Sequence, residues 1–445
     1  MNQAKALVRL TVVGVPEDGC LSLTSRAVNA VLQARVVAGH PRHRTWFPQF
    51  EGEFIEMTCG FSAWIKQVIE ESEVGNVVVL ASGDPLFFGI GTTLLNMIDG
   101  KALRFIPSFS AAQLAFSRLG LPWHDARFLS CHGRSLQGVV SKMQQGDLFA
   151  ILTDHQYSPQ VFARHLIRYR ESHWTLSVCE QLGGSEERIR QFEVEQLAAS
   201  EIMFDKLNVV IAQRGSPVRW GGQGQFANDN SFLKRMPDKG LITKQAVRHL
   251  ILTTLRIQSA DQVWDIGSGS GSVAIESGKL CWNGNVYAIE CHDQCFASIE
   301  ANIFGHGTDN VALIRGTAPA VLPELPDPDA VFVGGSRGQM DDILTTVWQR
   351  LKLQGRLVVS AVTMDTVVAV YQWAKAHQLT FETQVVNVSQ TQPLAHYQRY
   401  QAENPIHLFS LLKSSSTECA LKEKTLNTQA SDIQNQPSAG VTDES

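Results

Sequence analysis

The chain has 445 residues, of which 44% are hydrophobic and 18% charged, with 38 basic side chains against 43 acidic ones. That length favours two folded domains over one core, and a net charge of −5 gives no global pull toward nucleic acid or an acidic membrane. No stretch reaches the roughly 18 uncharged apolar residues of a membrane span, and MNQAKALVRLTVVGV lacks the apolar core and cleavage site of a signal peptide, so a cytoplasmic location is expected.

From Leu7 to about Gln213, short β-branched runs alternate with helical periods. LVRLTVVGV, ARVVAG, NVVVLAS, ALRFIPS, DLFAILT and LNVVIAQ read as strands, with amphipathic stretches such as SAWIKQVIEES and SAAQLAFSRLG between them. This alternation predicts an α/β domain over 1–213, mostly parallel sheet with crossover helices. Within it stands VVVLASGDPLFFGIG, Val77 to Gly91. Gly83, Asp84 and Pro85 directly follow a buried strand, at the carboxyl end where open α/β sheets bind ligands. Asp84, preceding a proline, must be extended or turn-like. The alternative is an ordinary strand-to-helix connection with Asp84 as the helix cap.

Residues 214–236, RGSPVRWGGQGQFANDNSFLKRM, lack apolar periodicity and read as a linker. A second α/β run over 237–413 starts at LITKQAVRHLILTTL, where Thr243 is expected to cap a helix burying Ala246, Val247, Leu250, Ile251 and Leu255. Strands follow near 262–266, 285–290, 311–315, 329–334 and 355–360, each before a helical period. TFETQVVNVSQT and IHLFSLLK predict an antiparallel finish. The polar, aromatic-free tail over 414–445 reads as disordered.

The second run opens on VWDIGSGSGSVAIE, in which Asp265 precedes Gly267, Ser268, Gly269 and Gly271. A dinucleotide fingerprint, GxGxxG, would place its third glycine where Ser272 stands, so the spacing disfavours NAD. Glycines let the backbone pass close to a ligand, and the helix that follows offers free N–H groups to a negative group. Glu290 ends the next strand, NVYAIE, and is a candidate for ribose hydroxyls; the bland reading is a strand-terminal surface acid. The eight cysteines form no CxxC pair. Cys281, Cys291, His292 and Cys295 span a strand and a helix start, a poor match to zinc ligand spacing, so no metal site is expected and the thiols are read as reduced.

Together Asp265, the glycine turn and Glu290 resemble the S-adenosylmethionine site of Rossmann-like class I methyltransferases. The resemblance implies that Gly267 to Gly271 wrap the amino-acid portion and Glu290 takes the ribose. It also implies that RGTAPAVLPELPDPDAVFVGG borders adenine and the reacting methyl, through the backbone of Gly316, Thr317 and Ala318. In the first half, ASGDPLFFGIG beside TVVGVPEDGCLSLTSRAV, VVAGHPRH, IPSFSAAQLAFSRLGLPW and SCHGR resembles the two-lobed tetrapyrrole (class III) methylase family. There Gly83, Asp84, Pro85, Ser110 and Ala111 would line a second S-adenosylmethionine site. Two departures stand out: Pro16 and Glu17 replace a glycine pair, and PSFSA, Pro107 to Ala111, stands where the family has PGPSA.

Both folds in one chain resemble the fused methyltransferases of corrin biosynthesis, over about residues 7–413. That resemblance implies two methyl transfers, to C5 by the first half and to C15 by the second, with loss of the C12 acetate carboxyl. A tetrapyrrole substrate with several carboxylates calls for local cations. The candidates are His132 and Arg134 in the first half, and Lys239, Lys244, Arg337, His396 and Arg399 in the second. No nucleic-acid or membrane partner is expected, and a homo-oligomer is. The competing reading is a class I RNA or tRNA methyltransferase carrying a noncatalytic N-terminal binding module.

Overall fold

A computed structural model describes residues 9–58, 60–235 and 242–414. Lys239 and the tail beyond Ser414 lie outside the described residues. The chain divides into two units. One takes the described residues up to Leu136 together with Gly146–Ile167 and Ser172–Pro217. The other takes Gln137–Gln145, Arg168–Glu171 and the described residues from Val218 onward.

The first unit contains two sheets. β1 (Leu10–Val15), β2 (Val36–Gly39), β3 (Glu53–Glu56), β4 (Val77–Ser82) and β5 (Leu103–Ile106) form a parallel sheet in the order β3-β2-β4-β1-β5. β1 and β2 are buried along their whole length, as expected of parallel strands covered on both faces. Leu10, Val12, Val77 and Val79 pack on one side, and Val13, Val15, Val78 and Leu80 on the other.

The second sheet corrects the expectation of mostly parallel strands. β6 (Arg127–Ser130), β7 (Leu148–Leu152), β8 (Trp174–Glu180), β9 (Arg188–Glu193) and β10 (Asn208–Arg214) run in the order β6-β7-β10-β8-β9. Only β6 and β7 pair in parallel; the other three ladders are antiparallel. β9 is an edge strand of exposed and half-buried residues, so the apolar signal that reveals central strands is weak there.

The second unit has one seven-stranded sheet: β11 (Gln262–Ile266), β12 (Asn285–Glu290), β13 (Val311–Arg315), β14 (Ala330–Val333), β15 (Arg356–Ala361), β16 (Phe381–Val386) and β19 (Ile406–Leu412). Its order is β13-β12-β11-β14-β15-β19-β16, with β19 antiparallel to both neighbours. Strand order reverses between β11 and β14, and such a switch point opens a crevice at the strands' carboxyl ends. β17 (Ser389–Leu394) and β18 (Tyr397–Ala402) pair only with each other, as a hairpin exposed along its length. The stretch PLAHYQRY, which carries His396 and Arg399, belongs to this hairpin.

The residues read as a linker also need correcting. Trp220, Ala227 and Phe232 are buried, and the last two join the core beneath Val263, Val286 and Phe332. Gly, Asn and Gln hide this role because the anchors are single side chains at irregular spacing, with polar partners between them. The Asn302 side chain donates to Leu233 O at 2.9 Å and accepts from Leu233 N at 2.8 Å. Lys279 Nζ donates to Gly224 O at 2.5 Å.

The following helix, Gln245–Leu255, buries Val247, Arg248, Ile251, Leu252 and Leu255. Ala246 is exposed and Leu250 half-buried. Thr243 is not its cap: the cap position is Lys244, whose side chain makes no capping bond. Asp229 Oδ2 instead accepts from Gln245 N at 3.3 Å, so an orphan N–H of the first turn is met by the preceding segment.

Two candidate active sites

Each unit has its own cavity at the carboxyl ends of its parallel strands. In the second unit the glycine turn follows β11. Gly267 N and Ser268 N donate to Ile289 O at 3.0 and 3.1 Å, which draws the turn against the end of β12. Gly267 has φ +76°, and a Cβ there would lie 2.8 Å from Gly335 N. Only glycine lets these two loops approach so closely. Behind the turn, Asp265 Oδ2 accepts from Ser268 Oγ at 2.6 Å and from Ala274 N at 3.0 Å. Burial lifts the Asp265 carboxyl to about 7; these two hydrogen bonds oppose the rise and nearby Glu290 adds to it.

Glu290 accepts from Gly269 N at 2.8 Å on Oε2, and from Cys291 N and His292 N at 2.9 and 2.8 Å on Oε1. It is a buried acid clamping the turn as well as facing the cavity, not a surface charge. A carboxylate has about four acceptor sites, so three backbone donors leave one on Oε2 for a ribose hydroxyl. Gly316, Thr317 and Ala318 line the same cavity, with Gly316 N held on Glu290 O at 2.9 Å. The cavity measures about 500 Å³, within the range of small-molecule sites. Glycine cradle, ribose acceptor and small-residue wall together fit S-adenosylmethionine.

Of the residues expected at this site, Gly267, Ser268, Gly269, Glu290, Gly316, Thr317, Ala318, Lys244 and Arg337 line the cavity. Asp265 and Gly271 stand behind it. His396 and Arg399 do not line it; both are exposed on the β17–β18 hairpin. Arg235, which lies in no recognisable motif, adds a cation that sequence reasoning missed, and His292, considered there only as a zinc ligand, adds an imidazole. Lys244 Nζ is 3.7 Å from Glu403, an acid also on the wall. Arg337 Nη1 donates to Cys291 Sγ at 3.3 Å. Among the described residues no group of three or more His, Cys, Asp or Glu side chains is placed to hold a metal ion.

The first unit's cavity measures about 360 Å³ and is ringed by the loops after β1, β4, β5 and β6. A Cβ on Gly14 would lie 2.5 Å from Gly83 O, so the β1 and β4 loops meet without side chains between them. Gly83, Asp84, Ser110, Ala111, His132 and Arg134 all line the cavity. Pro85 does not; it is buried behind the turn. Asp84 Oδ1 accepts from Leu86 N at 2.9 Å, so the acid orders its own turn while facing the cavity. Ser110 caps the helix Ala111–Leu119 in a reciprocal capping box with Gln113, presenting that helix's first turn to the site.

Asp154 holds the loop bearing His132 and Arg134 through Gly133 N at 2.7 Å. Burial would raise the Asp154 carboxyl, but the N–H groups of Tyr157, Gly133 and Gln156 hold it below its usual value. Pro16 and Glu17, the departure noted above, both line the cavity. Glu17 lies 3.2 Å from Arg42, and burial lifts its carboxyl despite that pairing. Arg42, Phe88, Phe109 and Lys206 complete the wall.

The precorrin methyltransferase domain model matches residues 235–413, and the tetrapyrrole (corrin/porphyrin) methylase model matches residues 9–198. A precorrin-6Y C(5,15)-methyltransferase [decarboxylating] from Sinorhizobium sp is 34% identical over 384 residues, covering 82% of this chain and 87% of that protein. The chain belongs to the precorrin-6Y C(5,15)-methyltransferase (decarboxylating) family. The fused family thus unites an N-terminal tetrapyrrole methylase with a C-terminal Rossmann-like, S-adenosylmethionine-dependent domain. A separate cobalt-precorrin-7 C(5)-methyltransferase from Salmonella typhimurium is 33% identical, covering 43% of this chain and 93% of its own. A crystal structure described as precorrin-6y C5,15-methyltransferase, from Geobacter metallireducens, is 38% identical, covers 42% of this chain and 97% of its own, and superposes with a TM-score of 0.40. Membership in this family displaces the RNA-methylating alternative. No helix among the described residues is long and apolar enough to cross a membrane.

Proposed function

We propose that the chain methylates precorrin-6Y, or its cobalt form, from two S-adenosylmethionine sites, one in each unit. The first unit acts at C5; the second acts at C15 and removes the C12 acetate carboxyl as CO2, completing a step of cobalamin biosynthesis. One observation carries this reading: each unit forms a complete cavity from its own residues, with glycine-lined turns at its floor and cations on its wall.

Bound S-adenosylmethionine supplies an electrophilic methyl on a sulfonium. An electron-rich ring carbon attacks in line, so the protein's task is alignment and exclusion of misplaced geometries. In the second unit Glu290 and the Gly267–Gly271 turn orient the donor. Lys244, Arg235, Arg337 and His292 hold the ring carboxylates by charge-assisted hydrogen bonds. Fixing the acetate there lets the electron pair left by CO2 pass into the macrocycle. In the first unit His132, Arg134, Arg42 and Lys206 serve the same anchoring purpose.

Gly269 has φ +60°, which a β-branched residue adopts only with strain. Gly269→Val is therefore expected to abolish C15 methylation and CO2 loss while leaving the C5 methyl transfer. Asp84→Ala is expected to impair C5 methylation alone. Mass spectrometry of the product and titration of S-adenosylmethionine decide the matter: two equivalents bind to the native chain and one to each variant. A native stoichiometry of one, or full product from Gly269→Val, overturns the two-site reading.

A further inference from the structure

We propose that Phe88 and Phe109 form an aromatic platform in the first unit's cavity for the conjugated face of the tetrapyrrole, with Phe88 a specificity-determining residue for C5 methylation. The proposal rests on the reading that the first unit methylates C5.

Phe88 has φ +53°, a left-handed conformation that a bulky side chain rarely adopts. A turn that needed only this geometry would carry glycine, as the same loop does at Gly83, φ +65°. The surroundings enforce the conformation. Phe87 sits edge-on to both Phe88 and Phe128, at centroid distances of 4.9 and 5.2 Å. A Cβ on Gly89 or Gly91 would lie 2.8 or 2.6 Å from Pro85 O, so the turn has no room to relax. Strain retained under such constraint marks a side chain whose position is wanted.

Phe88 is 41% exposed and Phe109 55% exposed, both on the cavity wall. Phe109 stands where the tetrapyrrole methylase pattern has proline, and its neighbour Ser110 is pinned by the capping box. Cations border the rings: the Arg134 guanidinium lies 5.8 Å over Phe88, and Arg42, His132 and Lys206 share the wall. Apolar rings with a guanidinium over one of them and further cations on the wall suit a flat conjugated body with carboxylates at its periphery. Adenine is also flat but carries no carboxylate, which gives the test its second arm.

The full chain carrying Gly269→Val isolates C5 methylation, followed by mass spectrometry with the C15-methylated, decarboxylated precorrin and S-adenosylmethionine. If that parent transfers no C5 methyl, the underlying reading fails, and the platform with it. If it does, adding Phe88→Gly is expected to raise KM for the tetrapyrrole roughly tenfold, about the value of one aromatic stacking contact. KM for S-adenosylmethionine stays within about twofold, and Tm does not fall, because glycine relieves the strain. Phe88→Tyr keeps the ring and the parent KM. An unchanged tetrapyrrole KM in Phe88→Gly, a rise confined to S-adenosylmethionine, or a failure of tyrosine to substitute overturns the proposal.

Discussion

Asp265 shows what a motif acid does once folded. Its Oδ2 carries two hydrogen bonds, while the buried Oδ1 has no hydrogen-bond partner among the described residues. Burial pushes its carboxyl up to about 7 in the folded chain, from the ordinary 3.8. Between those limits the folded state holds a proton that the unfolded chain has released, so stability falls as pH rises through the window and levels off above it. Urea midpoints of the second unit's transition are expected to drop between about pH 5 and pH 7. Asp265→Asn removes this slope; an equal slope in the variant excludes Asp265 as its source. The glycines, Asp265 and Glu290 were legible because a turn packed this closely on a neighbouring loop restricts residue type. Glu290's second task, clamping Gly269, Cys291 and His292, was not, because a backbone donor leaves no trace in sequence. Arg235 was missed for a related reason: a cation reaching a cavity from an irregular segment resembles any surface charge.

The helix Gln245–Leu255 shows where periodicity misleads. Its pattern predicted a plain apolar face, yet Arg248 sits in the middle of that face with a fully buried side chain. Its guanidinium donates to Ala227 O and Thr243 O, each at 2.7 Å, and to Asp229 Oδ1 at 2.9 Å. Nε lies 2.9 Å from Glu276 Oε2, and Glu276 Oε1 accepts from Ala227 N at 3.0 Å. Arg248 thus ties three pieces together: the segment around Ala227, the cavity wall at Thr243, and the helix Ser272–Leu280 that the glycine turn opens. Arg248→Met takes away the guanidinium in contact with buried Glu276, a change that costs about 3–5 kcal/mol. Urea unfolding of the full chain should show that loss in the second unit's transition. Adding Glu276→Leu should restore most of it, because an apolar pair avoids the uncompensated charge. If the single variant unfolds at the native midpoint, Arg248 is not a structural tie. The strands with strong apolar alternation, β1, β4, β11 and β12, were readable. The edge strand β9 and the β17–β18 hairpin were not, since neither buries a continuous face.

For the whole molecule, the order of the two folds was legible because each has a motif at the end of a central strand. Segment membership was not, because packing between residues far apart in sequence is not periodic. Each cavity is built within one unit, so the two chemistries should be separable between chains. Asp84→Ala and Gly269→Val chains, each unable to finish alone, are expected to yield doubly methylated, decarboxylated product when mixed. Mass spectra of the mixture check this; persistent singly methylated material would mean that the intermediate does not pass between chains.

The second unit also takes in Gln137–Gln145, from the first half of the sequence. There Asp309 accepts from Val140 N at 2.8 Å and from Ser141 N and Ser141 Oγ at 2.9 and 2.8 Å. A chain begun at Val218 would leave this segment behind. It would lack three donors to a buried carboxylate, together with the backbone that carries them. Any such chain would need other donors where Val140 and Ser141 now meet Asp309.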